Sequence, residues 1–225
     1  MRGVTGLANF RDMGGLPAWH GRIRSDVLYR SEAPTSLPPE SLKMLERSPL
    51  ALILDLRTDA ERAAAPDPTI PGVVVRAFPL QGGDMRSQFE RVLVGMPPDR
   101  LAATVAAFDA PVFLRGLYRG MILDEPAALA AAATEASRLD PGKAMLVHCT
   151  AGKDRTGVLV ALMLRVAGVD ADDVVADYAR SQGNLRGRWE EGMLHAIASL
   201  GVVLPENVRP VLTASPASLM RETLE

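Results

Sequence analysis

A strand, a tight loop and a helix follow one another without a gap between Met145 and Val166, and that order leaves few folds open. Met145–His148 is a short apolar run, and Val158–Val166 has the composition of a buried helix. Between them stands the string His148-Cys149-Thr150-Ala151-Gly152-Lys153-Asp154-Arg155-Thr156-Gly157. Two further apolar runs, Leu50–Leu56 and Val73–Phe78, read as buried strands. Strands separated by helical sequence place the chain in the α/β class.

The remaining segments fill in around this unit. Fragments at Gly21–Ile23 and Val27–Tyr29 suggest a small hairpin, and Ser36–Arg47 a short helix with prolines at its start. Leu101–Phe108, Leu114–Leu123 and the alanine-rich Pro126–Leu139 have helix-forming composition. Asp170 is placed to cap a helix running through Asp172 and Asp173 to Tyr178, and Ser215–Glu225 reads as the start of another. With 225 residues, 48% of them hydrophobic, one domain over residues 1–225 is expected.

Charge and cysteine content narrow the function classes. A net charge of -2 gives no electrostatic footprint for nucleic acid or an anionic membrane, so ligand preference must come from a local site. One cysteine cannot form an intramolecular disulfide, which suits a reducing, cytoplasmic setting. No apolar signal region opens the chain and no run of transmembrane length occurs, so neither a cleaved signal nor a transmembrane segment is expected. Oligomeric state is left open.

The loop carries the chemistry. A lone cysteine after a strand is ordinarily a small buried hydrophobe. Here Cys149 lies between a strand and a helix start, where unpaired backbone N–H groups and a neighbouring cation favour the thiolate. Arg155, six positions on, brings a fork that matches two phosphate oxygens. The small residues Ala151 and Gly152 suit a narrow anion cradle with Thr150, Lys153 and Thr156 beside them, and Gly157 allows close helix packing at its exit. Cys149 is therefore the expected nucleophile and Arg155 the phosphate clamp. His148 is expected to support the loop backbone. The Thr156 hydroxyl is a candidate donor to the cysteine sulfur or a helix cap. Asp154 is the preferred general acid, with Asp84 as the alternative. Lys153 adds a second cation, which suggests room for a strongly anionic substrate such as a phosphoinositide. His20 and His195 have no partners at ligand spacing, so no metal site and no cofactor are expected. Neither Trp19 nor Trp189 is followed by Pro-Asp, so no mobile acid loop led by a tryptophan is visible.

Together with Asn9-Phe10-Arg11-Asp12-Met13-Gly14-Gly15, Leu28-Tyr29-Arg30-Ser31, Asp55-Leu56-Arg57 and Ala176-Asp177-Tyr178-Ala179-Arg180-Ser181, the loop resembles the atypical, lipid-phosphatase-like protein tyrosine phosphatases of bacteria and fungi. The resemblance spans about residues 9 to 181. It implies the cysteine-phosphatase fold, a central mostly parallel sheet flanked by helices. It also implies activity on phosphotyrosine, extending to phosphoserine, phosphothreonine or phosphoinositides, with inorganic phosphate as product. In such proteins a helical insert before the active loop forms a lid, which here falls within Asp84–Leu123. Asn9–Gly15 is read as an approach to the site or a structural turn, and Asp55 and Arg57 as mainly structural. A sulfurtransferase or arsenate reductase built on a cysteine loop, and a phosphate-binding module without catalysis, are the competing functions.

Overall fold

The computed structural model describes residues 4–81, 97–199 and 204–225. A five-stranded sheet forms the centre, in the order β1 (Arg11–Asp12), β4 (Leu28–Ser31), β7 (Ala144–His148), β5 (Leu50–Asp55), β6 (Val74–Ala77). Strands β4, β7, β5 and β6 run parallel, and β1 pairs antiparallel at the edge. The fold is thus α/β with a mostly parallel sheet. Register brings the carboxyl ends of three strands together, because His148 is paired with Ser31 on one side and Asp55 on the other. Whatever follows His148 emerges at the rim of the sheet, where open parallel sheets place their ligand sites.

Side chains along these strands alternate between two cores, as the two-residue period requires. Leu28, Leu52, Leu54, Met145 and Val147 face one layer of helices: α4 (Ala110–Asp124), α6 (Asp154–Val166), α7 (Ala171–Leu185) and α10 (Ala217–Leu224). Tyr29, Ile53, Ala144 and Leu146 face the other side, with Leu45 from α1 (Pro39–Glu46). Proline opens α1 and α5 (Pro126–Thr134), where its missing N–H leaves no acceptor unpaired.

Two expectations need correction. The hairpin joins Gly21–Arg22 (β3) to Pro17–Ala18 (β2), whereas Leu28–Ser31 enters the main sheet. All four residues of Leu28–Ser31 are buried, and such a strand needs both faces covered, whereas Gly21 and Arg22 are exposed. The run Val73–Phe78 forms a strand, but Val74–Ala77 is exposed along its length, because it occupies the sheet edge. Residues 110–123 of the expected insert lie in α4, where Leu114, Leu117, Tyr118 and Met121 are buried. Helix α3 (Pro98–Ala106) precedes it, and Asp84 with the other insert residues up to 96 lies outside the described residues.

Candidate active site

The chain leaves β7 at His148 and makes a loop that closes on the first turn of α6. Gly152 turns this loop at φ +64°, and a Cβ there would stand 2.0 Å from the Ser31 carbonyl oxygen, so only glycine fits. The loop's carbonyls are drawn outward. Asn9 Nδ2 donates to Gly152 O (2.8 Å) and Ala151 O (3.3 Å), Arg30 Nη2 donates to Gly152 O (2.9 Å), and Ala33 N donates to Thr150 O (3.1 Å). Among the described residues the main-chain N–H groups of Thr150 through Asp154 have no protein acceptor. Those amides, at the start of a 13-residue helix, are the donors an anion needs. Cys149 lies at the same spot, 3% exposed.

Behind the loop the separate motifs converge. Asp177, on α7, accepts from Arg11 Nε at 2.7 Å and from Arg30 Nη1 at 3.0 Å, and Arg11 also reaches Ser181 Oγ. Burial alone would raise the Asp177 carboxyl, but the charges of Arg30 and Arg11 hold it below the usual range. Burial and then the charge of Arg30 lower Arg11 to about 10. The N-terminal segment, the sheet and α7 are thus tied together under the carbonyls of Gly152.

Arg155 is held by a residue that the sequence did not single out. Its Nη1 and Nη2 donate to the two oxygens of Glu61, at 2.6 and 2.7 Å. Glu61 lies on the short helix α2 (Asp59–Ala64), which Thr58 and Glu61 close with reciprocal capping bonds. Thr150 Oγ1 donates to Glu61 Oε1 at 2.6 Å, so this hydroxyl braces the clamp. Burial tends to raise the Glu61 carboxyl, but the hydrogen bonds and charge of Arg155, with Thr150 and the Thr58 amide, lower it to about 2. The signal for Glu61 was in the sequence as Thr58-Asp59-Ala60-Glu61, a capping pattern after a strand; its arginine partner, 94 residues away, was not.

The other expected site residues divide. His148 is buried; its Nε2 pairs with Asp67 Oδ2 at 2.9 Å and its Nδ1 lies 3.2 Å from Cys149 O. Asp55, Asp67 and His148 bring their ligand-type atoms within 4.8 Å of one another. The cation for this cluster is a guanidinium: Arg57 Nη2 stands 2.8 Å from both Asp55 Oδ2 and Asp67 Oδ1. Asp154 opens α6 at the end of the loop, with Oδ1 accepting from Tyr118 Oη at 2.8 Å. The Thr156 hydroxyl is buried and among the described residues makes no hydrogen bond, to the sulfur or to any other group. Lys153 departs from expectation. Its side chain is fully buried, and Nζ donates to Val211 O (2.6 Å) and Ala214 O (3.0 Å), so the ammonium is committed to the C-terminal segment and is not offered to a second phosphate.

Comparisons with known proteins agree with this geometry. A Cupriavidus necator protein whose name places it among the tyrosine-protein phosphatases is 34% identical over 209 residues, covering 92% of this chain and 71% of that one. The triple specificity protein phosphatase PtpB of Mycobacterium tuberculosis is 30% identical over 207 residues, covering 85% and 74%. Among solved structures, P. aeruginosa TpbA superposes with a TM-score of 0.37 at 18% identity over 85% of this chain and 91% of that one, too loose a likeness to add to the case. The model of the tyrosine phosphatase family matches residues 3–225, which takes in the loop and each segment that braces it, and the chain belongs to that family.

Proposed function

We propose that the protein hydrolyses phosphomonoesters through a cysteinyl-phosphate intermediate, with phosphotyrosine as the primary substrate class. One observation carries the reading: the cysteine shares one loop with a run of amides that have no acceptor among the described residues, and the arginine six residues on is held at that loop by Glu61. Cys149 attacks phosphorus as the thiolate; the S–P bond forms and the P–O bond to the leaving group breaks. Arg155 and the loop amides bind the phosphoryl oxygens, whose charge spreads in the transition state. Asp154 gives its proton to the departing oxygen. A water then attacks phosphorus and loses a proton to Asp154, the S–P bond breaks, and inorganic phosphate leaves. No step calls for a metal.

Phosphoserine and phosphothreonine are proposed as further substrates, in keeping with the words triple specificity protein phosphatase in the mycobacterial relative's name; phosphoinositides are proposed from the resemblance of the sequence motifs alone. Lys153 lends no support to the lipid class, since its ammonium is taken by main-chain carbonyls. A cytoplasmic setting is proposed from the single thiol; no described helix is long and apolar enough to cross a membrane. We propose that residues 1–225 act as one domain. Family membership does not favour sulfur transfer, arsenate reduction or a purely binding role.

The test is hydrolysis of p-nitrophenyl phosphate in the presence of EDTA. Turnover is expected from the wild type and from neither Cys149→Ser nor Arg155→Ala, each losing at least about a thousandfold. Full turnover by Cys149→Ser would end the covalent reading.

A further inference from the structure

We infer that Tyr118 is a positioning residue for the phosphoryl transfer, fixing which oxygen of Asp154 carries the transferred proton. The inference rests on reading Asp154 as the acid. Tyr118 stands on α4, 1% exposed, in a core where phenylalanine would supply the same packing. A buried hydroxyl is costly unless it is bonded, so its partner shows what it is there to meet. That partner is the loop carboxylate: Tyr118 Oη donates to Asp154 Oδ1 at 2.8 Å. The Tyr178 hydroxyl lies 2.7 Å from that of Tyr118, and the two rings meet edge to face with centroids 6.0 Å apart. Each hydroxyl has one hydrogen. Once Tyr118 spends its own on Asp154, Tyr178 must donate to Tyr118, and the chain runs in one direction towards the carboxylate.

The groups around Asp154 make the assignment of its oxygens. Lys153 Nζ is 3.5 Å away and faces the same Oδ1, while Tyr118 and Tyr178 close the helix side, and Cys149 stands in the loop. Oδ2 takes no hydrogen bond among the described residues. Oδ1 therefore accepts in both protonation states, and Oδ2 is the oxygen that holds the proton. In the first step Oδ2–H passes its proton to the ester oxygen as the P–O bond breaks. In the second step Oδ2 takes a proton from water as the S–P bond breaks. Without the tyrosine donor the carboxyl group is free to rotate about its Cβ–Cγ bond, and the proton is no longer aimed at the leaving oxygen.

The test compares two esters that differ in their need for an acid. β-Glycerophosphate leaves as a poor alkoxide that must be protonated; p-nitrophenolate leaves without help. Tyr118→Phe is expected to lower kcat on β-glycerophosphate about tenfold and on p-nitrophenyl phosphate less than threefold, with KM on both within about twofold. In an Asp154→Asn background the same change is expected to add less than about twofold, because the group it positions is gone. Tyr178→Phe disturbs the same buried pair but leaves the donor to Asp154, so its ratio of activities on the two esters should match the wild type. Equal losses on both esters in Tyr118→Phe, a full additional loss in the Asp154→Asn background, or an altered ratio in Tyr178→Phe would reduce Tyr118 to packing. Should Asp154→Asn itself slow both esters equally, the acid reading falls, and this inference falls with it. Failure of Tyr118 alone shows instead as Asp154→Asn separating the two esters while Tyr118→Phe does not.

Discussion

At Gly152 two constraints act on one residue. The backbone is in the left-handed region at φ +64°, and the Ser31 carbonyl oxygen would lie 2.0 Å from any Cβ, with Glu32 N at 2.8 Å. Neither neighbour is a flexible side-chain end; both are main chain, at the last residue of the strand beside β7 and the residue after it. Gly152→Ala must move the loop away from that strand, breaking the hydrogen bonds that Asn9 and Arg30 make to its carbonyls. We expect a loss of about 3 kcal/mol in stability, seen as a lower urea midpoint, and a fall in kcat/KM larger than the stability loss explains. A variant as stable as the wild type, with full activity, would show that the loop does not need this close approach.

The short helix α2 is the element on which the arginine clamp depends. It has no buried residue of its own, so its position rests on the cap formed by Thr58 and Glu61 and on the bonds of Glu61 to Arg155 and Thr150. Because the folded carboxyl of Glu61 is lowered to about 2 from its ordinary value of 4.5, its contribution is fully present above the unfolded value. That contribution is lost as pH falls from about 4.5 towards 2. Urea midpoints of wild type and Glu61→Gln should therefore differ most at pH 7 and converge on going to pH 3, with wild type the more stable throughout. Solvent screening keeps the gap modest, since the Glu61 side chain is 22% exposed. At pH 7 Glu61→Gln should also lose roughly tenfold in kcat/KM, as the fork is no longer held in place. A gap that widens towards pH 3 would contradict the ion-pair account. The strands and most helices were legible at this scale because period and proline placement are local signals. The exposure of Val74–Ala77 was not, because its β-branched residues suit a buried strand and an edge strand alike.

Across the whole molecule, what the sequence could not show is which distant groups meet behind the loop. The strings around Asn9, Arg30 and Asp177 were visible in order, yet their joining into one ion-pair network of Arg11, Asp177 and Arg30 depends on the packing of β1, β4 and α7. The proposed nucleophile and clamp could be read from ten adjacent residues; the groups proposed to support the site, Glu61 and Tyr118, lie on other elements and carry no loop motif. Lys153 is the clearest case of the difference. In the string it reads as a second phosphate ligand, but a buried ammonium must find acceptors, and the loop turns it towards Val211 O and Ala214 O. Burial lowers its basicity, against the opposing pull of Asp154. Its work is to join the active loop to the segment leading into α10. Lys153→Met keeps most of the side-chain volume and leaves those two carbonyls without their donor, so we expect a stability loss of about 2 kcal/mol. Activity should fall by the same factor on a phosphotyrosine peptide and on a phosphoinositide, because the ammonium touches neither. The ratio of the two rates, wild type against variant, is the measurement. A loss confined to the lipid would mean that Lys153 leaves its carbonyls and turns to the substrate during turnover.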